Sequence, residues 1–205
     1  ASLSIESVES VDLPATQTSE EEQEAIQELA DTAAEENWET LNKGATNIQF
    51  RYDGTTLYFR LVDKDGSTDM PDYASGNPNY KFKHQAEAKA VTTIVIGEGI
   101  TSIGTKCFYS DTTGAFAKVK TVSLPDSVEK IGAQAFFIGR TDLGKLETID
   151  LSHVKSIGML AFRGTALEKV GFAKDITIQT NAFSDCNKLN EVCYAGTKAK
   201  WEEIL

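Results

Sequence analysis

Ile131-Gly132-Ala133-Gln134-Ala135-Phe136 is a six-residue stretch that recurs through the second half of the chain. It is preceded by Ile103-Gly104-Thr105-Lys106-Cys107-Phe108. It is followed by Ile157-Gly158-Met159-Leu160-Ala161-Phe162 and, more loosely, by Ile178-Gln179-Thr180-Asn181-Ala182-Phe183. The phenylalanines lie 28, 26 and 21 residues apart. A period in the twenties marks a short-repeat solenoid. A unit of that size cannot bury its apolar side alone, so units stack and share one core.

Working outward, a second element lies ahead of each hexamer. Five segments have the form apolar-x-x-apolar-x-apolar: Val91…Ile94…Ile96, Val119…Val122…Leu124, Leu146…Ile149…Leu151, Leu167…Val170…Phe172 and Leu189…Val192…Tyr194. Their last residues alternate with period two, as in a half-buried strand. Turns follow, Gly97-Glu98-Gly99 in the first copy and Pro125-Asp126-Ser127 in the second, and then a short extended stretch such as Val128 to Ile131. The first strands of successive units stack as a parallel sheet, about 4.8 Å apart. Parallel neighbours cannot be joined by a hairpin, so the chain returns across the far side of the core. The Ala-Phe pairs mark that return. Phe fills the space between rungs, and the small residue before it lets backbones approach. Cys107 replaces Ala conservatively, since a buried Cys behaves as a small hydrophobe.

This pattern resembles the leucine-rich repeats of the BspA type, also called the Treponema type, most closely over Val119 to Phe136. Asp185-Cys186-Asn187-Lys188-Leu189 supplies that family's usual Cys after Ala-Phe. The stretch from Tyr194 to Ile204, with Gly196, Thr197 and Trp201, is similar to its frequent closing segment. Tyr52 to Leu57 and Asp69 to Tyr73 are similar to its N-terminal cap. The resemblance runs over roughly residues 50 to 205. It departs from the family in long insertions after Phe108 and Phe136, and in the loss of Ile-Gly in the fourth copy. The expected fold is a β-rich leucine-rich-repeat solenoid of about five repeats, with a parallel sheet on one face, an N-terminal β cap and a preceding α-helix. The expected organisation is a flexible acidic leader at 1–18, an acidic helix at 19–44, the β cap at 45–90, and repeats with a Trp-containing C-terminal cap at 91–205.

Charge supports that division. The 205-residue chain has a formal net charge of −11, and residues 1–40 hold 12 acidic and no basic side chains. The rest carries 19 acids against 20 bases, so the repeat body is nearly neutral. Ser19 with Glu22 forms a capping box. Ile26, Leu29, Ala30 and Ala33 make one apolar stripe behind it, and Trp38 and Leu41 offer anchors onto the body. A near-neutral body with an acidic arm argues against a nucleic-acid partner. No apolar run is long enough for a transmembrane helix. The chain starts at Ala1 without Met, consistent with removal of a signal segment and a secreted or surface-attached mature protein.

The residues offer little for catalysis. His84 lacks the second His of a zinc-protease helix, and His153 lies in a turn. Asp63-x-Asp65-Gly66-Ser67-x-Asp69 has its Gly at the wrong position for a calcium loop and Ala74 where the closing Glu belongs. It reads as a polar hairpin turn. Cys107 and Cys186 sit at repeat positions. Cys193 points outward from its strand and is the thiol most open to reaction, with nothing nearby to activate it. No cofactor or metal site is expected.

Two surfaces remain for a partner. The first comprises the inserted loops, with Tyr109, Phe116, Phe137 and Arg140, because insertions in adjacent repeats emerge on one face. The second is the outer face of the parallel sheet, with Thr93, Thr121, Ser123, Thr148, Asp150 and Lys169. It has a Thr column but lacks the Trp, Tyr and Arg that dominate binding energy. The family resemblance implies a bacterial, non-catalytic, adhesin-like module, secreted or on the cell surface. Its partner would be a host matrix or cell-surface protein, or a glycan, and the module would act as a monomer. The alternative is a structural spacer or accessory subunit of a surface complex.

Overall fold

Apolar residues at alternate positions make each repeat's first strand a half-buried rung, and the hexamer after it supplies the other two sides of a coil. The computed structural model describes residues 38–41, 47–73, 85–110, 114–139 and 144–204. The leader, the stretch 19–37, residues 42–44, His84 and Arg140 lie outside the described residues. The elements run β1 (Glu39–Thr40), β2 (Ile48–Asp53), β3 (Thr56–Leu61), α1 (Gln85–Ala90), β4 (Thr93–Ile96), β5 (Ser102–Ile103), β6 (Thr121–Ser123), β7 (Lys130–Ile131), β8 (Thr148–Ile149), β9 (Ser156–Ile157), β10 (Lys169–Phe172), β11 (Thr177–Ile178), β12 (Glu191–Tyr194) and α2 (Lys198–Ile204).

Two sheets and a turn side enclose the core. The larger sheet has the order β1-β2-β3-β4-β6-β8, and β10 pairs with β12 further along the coil. The smaller sheet stacks β5, β7, β9 and β11. Every pairing from β3 onward is parallel. The third side is a ladder between Ala-Phe turns. Phe108 N–H donates to Ala135 O at 2.7 Å, Phe136 N–H to Ala161 O at 2.7 Å, and Phe162 N–H to Ala182 O at 2.8 Å. The rings of Phe108, Phe136, Phe162 and Phe183 stack at 5.2, 5.4 and 5.2 Å between centroids.

The glycine of each hexamer is a matter of contact. A Cβ on Gly132 would lie 2.5 Å from Thr105 N, and one on Gly158 2.4 Å from Ala133 N. In the fourth copy Gln179 keeps the ladder bond to Ile157 O at 2.9 Å, and its side-chain Oε1 accepts the Met159 N–H at 3.0 Å. Two residues before each Phe, the backbone is left-handed at Lys106, Gln134, Leu160 and Asn181, with φ of 57°, 56°, 59° and 60°. The turn therefore keeps one shape in all four hexamers although their residues differ.

The cap imitates a rung. Asp69 bridges Ser102 in parallel, Met70 N–H donates to Ser102 O at 3.0 Å, and Tyr73 N–H to Thr105 O at 2.8 Å. The last bond has the place that Lys106 N–H to Ala133 O has one rung later. Met70 and Tyr73 are buried. The cap also holds α1, which the sequence pattern did not single out and whose Ala88 is buried. One boundary needs correction. The helix expected over 19–44 does not extend through Glu39–Thr40, which form β1, antiparallel to β2 with Glu39 opposite Phe50. Leu41 N–H bonds Ile48 O at 2.8 Å and its side chain is buried. Extended backbone carries Leu41 into the core on one side and Trp38 onto Arg60 on the other.

The stack predicts unequal costs of truncation. Phe136 and Phe162 are 4% and 0% exposed, whereas Phe183 is only partly buried. Phe136→Ala or Phe162→Ala should each cost about 3–5 kcal/mol in urea unfolding, and Phe183→Ala clearly less. Equal, small losses at all three would contradict a shared stack.

A second prediction concerns acid. The Asp72 carboxylate accepts the Thr105 N–H at 2.5 Å, and that bond with one from the Thr105 side chain holds its carboxyl below the usual range. A depressed carboxyl contributes stability above its unfolded-state pKa and loses it as pH falls through the folded-state value. Asp72→Ala should lower the urea midpoint at about pH 7, and the two proteins should converge by about pH 2–3. A constant difference across that range would show that Asp72 acts without its charge.

Candidate interaction surfaces

Strand alternation sends every second residue of the larger sheet outward, and the pairing register aligns these residues in columns. Thr56, Thr93, Thr121 and Thr148 form one column, each opposite the next. Beyond them, at the equivalent places of the last two rungs, Lys169 is ion-paired with Glu191. The hydrogen bond from Lys169 holds the Glu191 carboxyl below its ordinary pKa. Thr121 and Thr148 are exposed, and Thr93 and Lys169 half-exposed. The second column runs Arg51, Tyr58, Val95 and Ser123. Val95 is buried in it and Ser123 half-exposed. Asp150 turns its carboxylate to the Ser152 N–H at 2.9 Å, capping its own turn.

At its N-terminal end this face gains aromatic and cationic groups. The Arg60 guanidinium lies 4.3 Å from the Trp38 ring centre and donates from Nε and Nη2 to Gln49 Oε1 at 3.1 and 2.9 Å. Arg51 lies 5.3 Å from Trp38 and 5.2 Å from Tyr58. The four side chains are partly exposed. The repeat strands alone lack such residues; they come from the cap because β3 joins β4 in parallel. The alternation in Ile48–Asp53 and Thr56–Leu61 puts Arg51, Tyr58 and Arg60 on one face. What the sequence did not reveal is that this face continues that of the repeats.

The inserted loops look different from the sequence expectation. Phe116 is 2% exposed, its ring 5.5 Å from Phe108, and its N–H bonds Ala88 O at 2.9 Å. It is therefore a core residue between α1 and the first repeat, and offering it to a partner would empty that site. Phe137 is 8% exposed because Tyr109 stacks on one side at 4.8 Å and the Arg163 guanidinium lies over it at 5.1 Å. Arg163 is itself paired with Asp185 at 2.8 Å. Tyr109 is half-exposed beneath Lys106. Of the loop residues Tyr109 and Phe137 are thus brought together and Phe116 is turned inward, while Arg140 lies outside the described residues; the cation beside Phe137 is Arg163.

Among the described residues, no group of three or more His, Cys, Asp and Glu could hold a metal ion. The Asp63 to Asp69 turn is pinned by Asn47, whose Nδ2 donates to Asp63 O and Ser67 O at 2.5 and 3.0 Å and whose Oδ1 accepts the Asp63 N–H at 2.7 Å. His153 faces Asp126 at 3.1 Å on the surface. Burial pushes the Cys186 thiol up, and its S–H donates to Phe162 O at 3.1 Å. Burial, with Glu87 and Glu39 nearby, raises the Tyr52 hydroxyl. These shifts follow from packing and from cap and ladder contacts.

The description that matches this chain is "BspA type Leucine rich repeat region", over residues 78–202 in 6 copies. No curated protein matches it. Among solved structures it is similar to a leucine-rich repeat protein from Eubacterium ventriosum, at 22% identity and a TM-score of 0.51, over 77% of this chain and 44% of that one. It is also similar to a leucine-rich repeat protein of T. pallidum, at 18% identity and 0.46, over 74% of this chain and 70% of that one. A third, from Bacteroides ovatus, has 23% identity and 0.46, over 72% of this chain and 39% of that one. The chain spans under half the length of the first and third of these. At 22% identity the likeness to the first is one of fold alone.

Proposed function

This chain belongs to the BspA-type leucine-rich repeat family, and on that premise we propose a non-catalytic recognition module that binds a protein or glycan on the outer face of its larger sheet. The observation that carries the reading is the continuity of that face. A column of four threonines in register leads to a cluster of Trp38, Arg51, Tyr58 and Arg60. The threonines give a flat row of hydroxyl donors and acceptors. The cluster supplies the residue types that dominate binding energy. The stacked coil holds both in fixed relation, which lowers the ordering cost of association.

The sheet face, second choice from sequence, thereby moves ahead of the loops. Phe116 is committed to the core and Phe137 is covered on both sides. The setting we propose is extracellular, secreted or attached to the cell surface, with a host matrix protein or surface glycan as partner, an adhesin-like role taken by a monomer. Family resemblance supports that setting. No helix among the described residues is long and apolar enough to cross a membrane.

A screen against immobilised matrix proteins and glycans tests this. For a ligand so found, Thr121→Lys with Thr148→Lys should abolish binding while leaving thermal stability unchanged, since both sites are exposed. Arg60→Ala should weaken it about tenfold, the effect of losing one anchor of ~1–2 kcal/mol. Tyr109→Ala should leave it intact. Loss of binding by Tyr109→Ala with a neutral sheet pair would return the site to the loops. No ligand in a broad screen would favour the spacer role.

A further inference from the structure

Trp38 immediately precedes β1, and two guanidinium groups share its indole ring, Arg60 at 4.3 Å and Arg51 at 5.3 Å from the ring centre. Two cations gathered on one ring repel each other unless an anion offsets them. Among the described residues that anion is poorly supplied. Arg60 donates from Nε and Nη2 to Gln49, a neutral acceptor. Arg51 has Asp53 at 3.9 Å, too long for a hydrogen bond, and the Asp53 side chain is 68% exposed. The Arg51 side chain is only 13% exposed, and its Nε is buried with no hydrogen-bond partner among the described residues. Trp38 Nε1 is in the same state. A buried donor of this kind is costly until an acceptor arrives.

The sequence that leads into Trp38 carries the complementary charge. Residues 20–36 hold 8 acidic and no basic side chains, and Glu35 and Glu36 stand three and two residues before Trp38. Extended chain spans about 3.3–3.6 Å per residue, so both are tethered within about 11 Å of backbone from the indole. A short tether gives an effective concentration on the order of millimolar. An acidic partner from outside has no such advantage, and it meets a chain of formal net charge −11, which repels it. Residues 41–205 carry 19 acids and 20 bases, so that repulsion comes from the N-terminal stretch itself. Charge and reach therefore both favour the chain's own segment as the occupant.

We propose that the acidic segment 20–36 folds back onto the N-terminal end of the outer face and sets carboxylates against Arg51 and Arg60 beside Trp38. Bonds from guanidinium to carboxylate are charge-assisted, and the planar fork of Arg can offer one carboxylate two parallel donors. The contact screens one end of the face and leaves the threonines of β4, β6 and β8 open. The segment is then a built-in competitor. An anionic ligand at the cluster has to displace it, whereas a neutral ligand on the threonines does not. The contact belongs to the free chain, so it stands or falls apart from the recognition role argued above.

The test uses the full chain and no ligand. The chain has 4 arginines, and the Nε–H resonances of Arg51 and Arg60 report the contact directly. The Trp201 indole N–H, at the other end of the coil, reports that the coil stays folded. Replacing the 8 acidic residues of 20–36 with their amides, Glu→Gln and Asp31→Asn, should move the Arg51 and Arg60 resonances and leave Trp201 in place. Raising NaCl from about 10 mM to about 0.5 M shortens the screening length from about 30 Å to about 4 Å. It should move the parent resonances toward those of the neutralised chain, and move the neutralised chain's own resonances less. Glu6→Gln, Glu9→Gln and Asp12→Asn together should leave Arg51 and Arg60 in place. The proposal is overturned if the neutralised chain keeps the parent resonances, or if the change at Glu6, Glu9 and Asp12 moves them as far. It is also overturned if the parent resonances shift with protein concentration, which would put the segment on a second copy.

Discussion

Everything in this coil depends on one column of stacked rings. Phe108, Phe136, Phe162 and Phe183 meet face to face at 5.2–5.4 Å, and Phe59 and Phe50 extend the line into the cap. Each ring is too large for one rung to bury, so it is shared by two. That sharing makes the unit dependent on its neighbours and fixes the spacing to which the three ladders conform. Stacked aromatic pairs contribute roughly 0.5–1.5 kcal/mol beyond their buried area. A column of them is a continuous tie along an otherwise thin structure.

Close stacking sets the small residues around it. Gly132 and Gly158 let one rung's backbone come within van der Waals contact of the last, and Ala135 and Ala161, both 0% exposed, do the same before each Phe. Gln179 shows how far the rule bends. A side chain at the glycine place is tolerated where it can accept a backbone N–H, here that of Met159. The cap uses the same logic from the other end, since Asp72 supplies to Thr105 N–H a carboxylate acceptor. At both ends of the coil a side-chain oxygen thus accepts the N–H two residues after the hexamer's Ile.

The repeat was legible because its period and its alternation are both written in residue type. Ile-Gly-x-x-Ala-Phe names the contact, and apolar-x-x-apolar-x-apolar names the strand. The site was less legible for a physical reason. Burial of an inserted aromatic depends on whether the neighbouring rung leaves room. Phe116 fills a gap beside Ala88, in a helix of six residues that has only two turns' worth of pattern to announce it. Phe137 looked free because its covers, Tyr109 and Arg163, are 28 and 26 residues away in sequence. The cluster of Trp38, Arg51, Tyr58 and Arg60 stayed hidden because strand order across the cap, rather than residue type, places it beside the threonines. The strand at Glu39–Thr40 is not legible because two residues are too few to show alternation.

A linear coil also separates its surfaces energetically. Each rung touches only its neighbours, so a perturbation at one end reaches the other through a chain of nearest-neighbour terms. The aromatic and arginine cluster lies on β2, β3 and the residue before β1, and the last rungs, β11 and β12, lie at the other end of the coil. Several rungs with buried, stacked centres stand between them. Coupling between two distant sites needs an element with two discrete arrangements that both bias. The described coil offers one packing, pinned by the phenylalanine column, and the same rigidity that presents the outer face also insulates it. A partner on the outer face would therefore meet one fixed shape and leave the far end of the coil unaltered.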